Sequence, residues 1–578
     1  MDKYKWCGCL ACALLCASVL LCVCVATLLT APCSGGFRHA AVAADSLLCS
    51  RVGKDVLQQG GSAVDGAIAA LLCTAVVYPQ SMGLGGGSVV TVRNKTGKVT
   101  VYNFRETVPR KFKSNLLDDC SESFKHTPGS QWIGVPGELR GYEELHKRYG
   151  KLSWSKLFEE PIKLAREGIA VPPHLGKILG MPAVKSRVER SSLCDIFCNN
   201  NKSVLRTGDI LKFPQLAESL QMIAKKGADA FYTGEIAWDL IHDVKKAGGT
   251  LEMEDLRSYR VRAVDAWTVL LGDTLMHIPP PPAGGALLAF ILKIMQGFSL
   301  TPHSLKGEGK IQFYHHYIEA VKFANGQRRS IRDPLFNSET GAEHLMDPTF
   351  IGHIRTMISS NGTHPPSYYS NVKPPPDHTG TSQVSVLDED GLAVSATSTI
   401  NHLFGGGIYS PRTGIILNNE LADFCGRADT LKTGKIHLHL CADMNGPTVL
   451  IVMVVSGEQP PSSMTPAILE SKSGGLLVIG GAGGSMITGA VALSVINHLW
   501  LGMSLKAAIE APIVYVDSKN NVNFPPGFDQ VVIDGLRALG HQVGQMQYFF
   551  NIVNAVEKEE GCIVAESDMR KKGMADGY

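Results

Sequence analysis

The stretch GTSQVSVLDEDGLAVSATSTIN, residues 380–401, decides the fold of this chain. Apolar and polar residues alternate on both sides of Asp390 and Gly391. Period-two alternation around an Asp-Gly pair predicts two β-strands joined as a hairpin. The preceding residues 361–380 are rich in proline and polar side chains, which is typical of an exposed connector.

The start of this hairpin predicts self-cleavage followed by threonine catalysis. Gly380 offers an unhindered carbonyl to the Thr381 hydroxyl, and its conformational freedom permits the distortion that attack requires. Cleavage would give Thr381 a free α-amine, whose pKa of about 7.7–8.0 suits it as the general base for the same residue's hydroxyl. No G-x-S-x-G motif offers a serine nucleophile instead. Gly-Thr-Ser before a strand is also a common harmless turn, so this interpretation depends on the rest of the chain.

The composition is that of a globular α/β protein, and it excludes several functions. Of 578 residues 44% are hydrophobic, and 55 Lys and Arg nearly balance 53 Asp and Glu without a basic stripe for nucleic acid. GLGGG at residues 83–87 lacks the Lys of a phosphate loop and the last glycine of a dinucleotide motif, so we expect close backbone packing there. Outside residues 6–29 there is no HExxH motif and no zinc-spaced CxxC pair, so no metal or other cofactor is expected.

The N-terminus predicts a membrane anchor. Residues 6–29 carry no charge, and at about 1.5 Å per residue they can span a hydrocarbon layer of roughly 30 Å. A cleavable signal peptide is the alternative, but its apolar region is normally about 7–15 residues long. Lys3 and Lys5 precede the segment, whereas Arg38 is the next basic residue after it. The positive-inside rule therefore predicts a cytoplasmic tail at residues 1–5 and a single-pass type II protein of the plasma membrane.

Sequons and cysteines fit an extracellular body. Three Asn-x-Ser/Thr sequons are glycosylation candidates, although such matches are common by chance: Asn94, Asn201 and Asn361. Cys49 and Cys73 flank two helix-like segments, and Cys194 and Cys198 lie four apart in a polar loop. Both pairs are disulfide candidates in an oxidising compartment. Six anchor cysteines are either palmitoylation sites or apolar filling: Cys7, Cys9, Cys12, Cys16, Cys22 and Cys24.

Two helices are expected near the start of the body. Residues 46–59 have helical apolar spacing that ends at Gly60 and Gly61. Residues 67–77 are apolar on all sides but too short to cross a bilayer, so they predict a buried core helix and not a second membrane span.

Several long motifs occur in order along residues 39–578: PQSMGLGGG, NFRETVPR, QWIGVPGELRGYEELHKRYG, PPPPAGG, the hairpin itself, SPRTGIILNNE, PSSM, GGAGG and the terminal GY. Together they resemble the γ-glutamyltransferase family, a branch of the N-terminal nucleophile (Ntn) hydrolases, and within it the leukotrienase subtype. The resemblance implies an α+β fold in which an αββα sandwich places two sheets between helix layers. It also implies cleavage into a large chain, residues 30–380, and a small catalytic chain, residues 381–578, that stay together as a heterodimer.

The resemblance implies catalytic roles for four residues. Thr381 would be the nucleophile, and Thr399 would hydrogen-bond near its new amine and hydroxyl. Gly483 and Gly484 would present backbone N–H groups to the oxyanion, where losing one donor typically costs about 2.7–4 kcal/mol. Taken alone, the two glycines could equally form a tight turn.

The resemblance also implies a pocket for the γ-glutamyl group, whose α-carbon carries both a carboxylate and an ammonium. Such a pocket needs a cation and anions. The residues expected to bind the carboxylate are Arg105, Ser462 and Ser463. Those expected to bind the ammonium are Glu420, Asp423 and Asn401. Read singly, Arg105 could be a surface ion pair and the two acids a solvated edge.

The implied substrates are glutathione and its S-conjugates, including the conversion of leukotriene C4 to leukotriene D4. Water, an amino acid or a dipeptide would accept the γ-glutamyl group. Two alternatives remain open at this point: an Ntn amidohydrolase of the same fold with a different acyl substrate, and an inactive or unprocessed surface homologue.

The chain departs from the family pattern at two places. Leu403 stands where relatives with strong transfer activity carry tyrosine, so the substrate entrance is altered and broad transpeptidation is not expected. Residues 426–460 match no family motif, and they are either an unfamiliar lid or an erroneously predicted exon. Within them, residues 449–455 form an apolar, β-prone run that needs to be buried to avoid aggregation.

Overall fold

The computed structural model describes residues 33, 35–120, 129–337, 341–369, 380–427, 454–546 and 552–578. The predicted cytoplasmic tail, residues 1–5, and the predicted anchor, residues 6–29, lie outside these ranges. Within them, no helix combines the length and the apolar composition that crossing a bilayer requires.

Two antiparallel sheets form the centre of the molecule, and the remaining strands of the described residues form three smaller sheets. The strands are β1 (Ala41–Ala43), β2 (Gly87–Arg93), β3 (Val99–Asn103), β4 (Ile169–Ala170), β5 (Ile210–Leu211), β6 (Arg262–Asp265), β7 (Trp267–Leu271), β8 (Thr274–Ile278), β9 (Gly380–Leu387), β10 (Ala393–Asn401), β11 (Tyr409–Ser410), β12 (Ile415–Ile416), β13 (Ala467–Ser471), β14 (Leu476–Ala482), β15 (Tyr515–Val516), β16 (Val522–Phe524), β17 (Val543–Gln545), β18 (Ile552–Glu559), β19 (Cys562–Ser567) and β20 (Asp576–Gly577). The first sheet has the order β20-β1-β9-β10-β2-β3-β6 and the second the order β19-β18-β14-β13-β8-β7.

The predicted hairpin is confirmed and lies at the centre of the first sheet. β9 and β10 pair antiparallel, and every residue of both strands is buried. Their valines pack into the larger hydrophobic cluster, while the polar side chains of the opposite face, such as Ser385 and Ser395, point to the second sheet. There the Ser385 Oγ donates to the carbonyl of Asn554 at 3.0 Å, and the Ser395 Oγ donates to that of Ile479 at 2.9 Å. The alternation in the sequence thus separates two buried faces, one apolar and one hydrogen-bonded.

Helices cover both outer faces. They are α1 (Leu47–Gln58), α2 (Ala63–Val77), α3 (Glu138–Tyr149), α4 (Glu159–Glu167), α5 (Pro173–Leu179), α6 (Pro182–Glu189), α7 (Cys194–Phe197), α8 (Pro214–Lys226), α9 (Asp229–Tyr232), α10 (Glu235–Lys246), α11 (Met253–Ser258), α12 (Gly285–Gln296), α13 (Glu308–Gly326), α14 (Pro348–Met357), α15 (Ile487–Leu499), α16 (Leu505–Glu510) and α17 (Gln530–Ala538).

The helix layers complete an αββα arrangement. α1 and α2 pack on the first sheet, and α12, α13 and α15 form the layer over the second. Both helices predicted near the start of the body are present, and every residue of α2 is buried. α2 begins earlier than its apolar run indicates, because Ser62 and Asp65 form a capping box that satisfies its first N–H groups. The α+β class and the sandwich expected from the resemblance are therefore confirmed.

The glycine-rich segment at residues 83–87 packs backbone against backbone, as expected. A Cβ on Gly85 would lie 2.2 Å from the carbonyl oxygen of Ile416, and one on Gly86 would lie 2.1 Å from that of Thr399. Side chains are excluded here because the loop presses directly on the end of β10.

Four disulfides occur in the described residues. Both predicted pairs are present, Cys49–Cys73 at 2.05 Å and Cys194–Cys198 at 2.07 Å. Two further bonds join residues far apart in the chain: Cys33–Cys562 and Cys120–Cys425. Local spacing could not identify these two pairs, since 529 and 305 residues separate their partners.

Most of the unmatched segment, residues 428–453, lies outside the described residues. Its two described ends are tied together, because the Arg427 guanidinium binds both carboxylate oxygens of Glu458 at 2.5 and 3.1 Å. Both side chains of this ion pair are buried. Of the apolar run, Val454 is buried and Val455 is 43% exposed.

Candidate active site

The hairpin register places the two candidate threonines side by side. Thr381 pairs directly with Thr399 across β9 and β10, and their Oγ1 atoms lie 3.4 Å apart. The register shifts after this pair, so that Gly380 faces Asn401, whose φ of 74° lies in the left-handed region. This irregularity ends the regular ladder at the nucleophile.

The peptide unit between Gly380 and Thr381 is held from the side of its carbonyl. The Thr399 hydroxyl donates to the Gly380 oxygen at 2.5 Å and accepts a hydrogen bond from the Asn401 N–H at 2.8 Å. A Cβ on Gly380 would lie 2.5 Å from the carbonyl oxygen of His402. The hydroxyl of Thr399 therefore contacts the carbonyl that self-cleavage would attack, in addition to lying beside Thr381.

A buried lysine holds the other side of the candidate nucleophile. The Lys571 ammonium donates to the Thr381 carbonyl at 2.6 Å and to the Asp45 carboxylate at 2.8 Å. Asp45 also accepts a hydrogen bond from the Asn554 amide at 2.9 Å. Neither charged residue is selected by a local sequence pattern, because Asp45 and Lys571 lie near opposite ends of the chain. The terminal RKKG run was the available signal.

The charged residues expected to bind opposite ends of the substrate contact each other. Arg105 follows β3, is 1% exposed, and reaches both Glu420 Oε1 and Asp423 Oδ2 at 2.5 Å. Its Nε donates to the carbonyl oxygen of Pro460 at 2.8 Å. The Asn401 amide donates to the remaining Asp423 oxygen at 3.0 Å. One guanidinium and two carboxylates thus form a preorganised ion cluster at the end of β3 and β10.

A further buried acid, Glu106, adjoins this cluster. Burial raises the pKa of the Glu106 carboxyl well above its ordinary value, and the neighbouring Glu420 adds to that effect. Burial also raises the pKa of Glu420, although Arg105 opposes it. Burial thus disfavours the charged forms of both acids, and the Arg105 guanidinium is the cation that opposes this effect.

The two serines are oriented as hydrogen-bond donors. The Ser462 hydroxyl accepts from the Met464 N–H at 3.1 Å, and the Ser463 hydroxyl accepts from Arg328 Nη1 at 2.6 Å. Because both oxygens already accept from the protein, their protons can be donated to an anion. Arg328 also donates to the Ser485 carbonyl at 3.0 Å, so it bridges the PSSM and GGAGG segments.

A single cavity with an empty volume of about 1010 Å³, including its part open to solvent, collects most of these side chains. The predicted residues that line it are Arg105, Thr381, Thr399, Asn401, Glu420, Asp423, Ser462, Ser463 and Gly484. Gly483, with a φ of 119°, precedes Gly484 at the end of β14. The lining also contains four arginines that the sequence analysis did not select: Arg328, Arg329, Arg332 and Arg427.

The candidate modification sites lie away from this cavity. Asn201 and Asn361 are exposed, and Asn94 is half-buried in the turn between β2 and β3. Leu403, the departure from the family pattern, accepts a hydrogen bond through its carbonyl from Arg187 and does not line the cavity.

One cluster among the described residues has metal-ligand chemistry, His315, Glu319 and His541, whose ligand atoms lie within 4.8 Å of one another. The Lys322 ammonium donates to Glu319 at 3.2 Å and lies 3.0 Å from His541 Nδ1. The Lys322 ammonium therefore already binds these groups, and the cluster is better suited to a hydrogen-bond network than to a metal ion.

The comparisons with known proteins agree with this geometry. The gamma-glutamyltranspeptidase family profile matches residues 49–578. The chain is 47% identical over 555 residues to the human (Homo sapiens) glutathione hydrolase 5 proenzyme, covering 95% of this chain and 94% of that protein. Cephalosporin acylase from Bacillus halodurans shares the fold, with a TM-score of 0.78, 24% identity and coverage of 94% of this chain and 96% of that one.

A solved structure within the family is similar over a smaller share of the chain. Helicobacter pylori gamma-glutamyltranspeptidase is 29% identical with a TM-score of 0.51, and the match covers 56% of this chain and 92% of that one. The family profile and the human relative together show that this chain belongs to the gamma-glutamyltranspeptidase family of glutathione hydrolases.

Proposed function

We propose that this chain is a self-cleaving γ-glutamyl hydrolase and transferase that uses Thr381 as its nucleophile. The observation that carries the proposal is that Thr381 lines the same cavity as Arg105, Glu420 and Asp423. A nucleophile beside a buried cation and two buried anions suits an acyl group that is itself a zwitterion, as the γ-glutamyl group is.

Self-cleavage begins with attack of the Thr381 hydroxyl on the Gly380 carbonyl carbon. The Thr399 hydroxyl, 2.5 Å from the Gly380 oxygen, stabilises the negative charge that develops there. Collapse breaks the C–N bond, protonates the Thr381 nitrogen and leaves Gly380 as an ester on the threonine oxygen. Water then hydrolyses that ester, which gives a large chain ending at Gly380, whose extracellular part is residues 30–380, a small chain beginning at Thr381 (residues 381–578), and a free α-amine.

Turnover repeats the same chemistry on the substrate. The new amine accepts the Thr381 proton while the oxygen attacks the γ-carbonyl of a γ-glutamyl peptide. Backbone N–H groups of Gly483 and Gly484 stabilise the oxyanion, and the departing amine takes the proton. Water, or the amine of an amino acid or dipeptide, then resolves the γ-glutamyl ester. No cofactor takes part in these steps.

Binding exchanges one set of ion pairs for another. The substrate carboxylate is held by Arg105 with the donated protons of Ser462 and Ser463, and its ammonium by Glu420 and Asp423 with the oxygen of the Asn401 amide. Arg105 pairs with both acids in this structure, and a zwitterionic substrate replaces these ion pairs without leaving any buried charge unpaired. This exchange favours zwitterionic substrates, because a ligand with one charge alone would strand its counterpart.

We infer that the substrates are glutathione and its S-conjugates, including the leukotriene conjugate. The leukotriene assignment is supported by the resemblance of the hairpin and SPRTGIILNNE motifs to the leukotrienase subtype. The apolar part of the cavity wall, from Leu287, Ile331, Met464 and Ile487, offers a surface for an apolar S-substituent. We further propose that residues 6–29 anchor the enzyme in the plasma membrane with residues 1–5 in the cytoplasm and the catalytic chains outside.

The test combines intact mass and N-terminal sequencing with an activity assay. A wild-type small chain beginning Thr381-Ser382-Gln383, absent in Thr381→Ala, supports the nucleophile assignment. Glutathione and its leukotriene conjugate are then assayed with the cleaved protein. A wild type that stays uncleaved would contradict the proposal, and a cleaved protein inactive on both substrates would indicate a different acyl group.

A further inference from the structure

The cavity contains more positive charge than a γ-glutamyl group requires. Of the four arginines outside the predicted pocket, Arg427 is neutralised by Glu458, and Arg328 bridges Ser463 and Ser485. The remaining two, Arg329 and Arg332, lie just beyond the C-terminal end of α13 and also line the cavity.

Neither Arg329 nor Arg332 forms a direct ion pair within the part of the chain that the structure describes. The Nε of Arg332 donates to the backbone carbonyl of Arg329 at 2.9 Å. Neither side chain has a carboxylate within 4.0 Å among the described residues. Burial lowers the pKa of Arg332, and the neighbouring Arg427 and Arg329 add to that effect, while the Glu458 carboxylate opposes it.

The chemistry of a γ-glutamyl peptide supplies a matching anion. In glutathione the leaving half ends in a carboxylate two residues beyond the attacked carbonyl, a distance of at most about 7 Å in an extended chain. This carboxylate remains after Arg105 and the serines have bound the carboxylate of the γ-glutamyl half. Arg329 and Arg332 line the same cavity as Thr381, so a peptide attacked by Thr381 places its leaving half beside these arginines.

We propose that Arg332 and Arg329 form a second carboxylate subsite, which binds the C-terminal carboxylate of the leaving peptide. The subsite makes the enzyme selective for γ-glutamyl peptides with a free C-terminus over neutral γ-glutamyl amides. Arg332, which is half-buried, is the principal contact of the leaving carboxylate. Arg329 is exposed and adds to the positive electrostatic potential there. This inference rests on the proposed function, because it assumes that Thr381 attacks a γ-glutamyl peptide in this cavity.

The experiment compares three substrates on the purified, cleaved enzyme: glutathione, glutathione with its C-terminal carboxylate converted to an amide, and γ-glutamyl-p-nitroanilide. The last two have no leaving-group carboxylate. For the wild type we expect kcat/KM to fall about tenfold or more from glutathione to its amide, the usual scale for losing a charge-assisted hydrogen bond. For Arg332→Gln we expect a similar fall with glutathione, mainly through KM, while γ-glutamyl-p-nitroanilide changes less than about twofold.

Controls separate binding from folding. Arg332→Lys should recover part of the affinity for glutathione, and Arg329→Gln should show a smaller effect in the same direction. Arg537→Gln removes an exposed arginine on α17 that pairs with Asp534, and it should change no substrate. The comparison of glutathione with its amide needs no variant, so it stands even if Arg332→Gln fails to fold.

Two outcomes would overturn the subsite. If Arg332→Gln lowered kcat/KM equally for glutathione and γ-glutamyl-p-nitroanilide, Arg332 would support the pocket for the γ-glutamyl group and not a second subsite. If the wild type had equal kcat/KM for glutathione and its amide, the enzyme would have no subsite for the C-terminal carboxylate. A wild type inactive on γ-glutamyl-p-nitroanilide as well as on glutathione would instead refute the proposed function, and the subsite with it.

Discussion

Replacing Thr399 by valine should slow self-cleavage by about 10²–10³-fold. The Thr399 hydroxyl donates to the Gly380 oxygen at 2.5 Å, which is the atom that becomes negatively charged when Thr381 attacks. Loss of one such donor typically costs about 2.7–4 kcal/mol of transition-state stabilisation. Valine has nearly the same shape, so packing is preserved, but the Asn401 N–H also loses its acceptor at 2.8 Å.

The assay follows conversion of the labelled precursor into large and small chains over time, with the new N-terminus identified by sequencing. Thr399→Ser retains the hydroxyl and should cleave within about tenfold of wild type. Thermal unfolding of the uncleaved Thr381→Ala protein, with and without the Thr399→Val change, measures any loss of stability separately. Wild-type cleavage rates in Thr399→Val, or equally slow cleavage in Thr399→Ser, would refute the role of this hydroxyl.

Three further predictions concern the pocket and the scaffold. Arg105→Gln removes the counterion of two buried carboxylates, so it should destabilise the protein by about 3–5 kcal/mol, measured by calorimetry. It should also sharply raise KM for γ-glutamyl substrates. Arg105→Lys should have intermediate stability and intermediate KM. Cys49→Ser opens the bond to Cys73 and should cost about 3–4 kcal/mol by the loop-entropy relation, measured as a lower thermal midpoint; an unchanged midpoint would contradict it. Burial alone would lower the pKa of His498, but the Glu557 carboxylate 2.6 Å away has the larger effect, so the pKa of His498 is raised in the folded protein. The His498–Glu557 ion pair therefore contributes its full stabilisation below the ordinary pKa of 6.5, and this contribution is lost as pH rises through the folded pKa. Glu557→Gln should therefore lower the thermal midpoint more at roughly pH 5.5 than at roughly pH 9, and an equal effect at both would exclude the ion pair.

Much of the fold could be predicted because its signals are local. The hairpin follows from strand alternation around Asp390 and Gly391, and α2 follows from an apolar run between helix-ending residues. The start of α2 was misjudged because the capping box lies before the apolar run. The two predicted disulfides join cysteines separated by 24 and 4 residues, whereas the two that were missed bring together distant parts of the chain.

The candidate site was predictable only where a residue type implied its chemistry. Thr381 after a glycine, and Arg105 at the end of a strand, could be selected from the sequence and the family resemblance. Asp45 and Lys571 could not, because a buried ion pair across 526 residues leaves no local pattern. Nothing in the sequence distinguishes Arg332 from a surface arginine, and only the structure shows that it lines the cavity.

By itself, the sequence determined the hairpin of β9 and β10, the two helices near the start of the body, the family and the order of the motifs, since these depend on side-chain periodicity and on residue types at short spacing. Only the tertiary structure decided that Thr399 contacts the Gly380 carbonyl, that Arg105 pairs with the acids expected to face the substrate, and that Arg329 and Arg332 line the same cavity as Thr381. The physical reason is that a site is made by contacts between segments distant in the chain. Packing of the two sheets fixes those contacts, and neither the spacing nor the composition of any one segment encodes them.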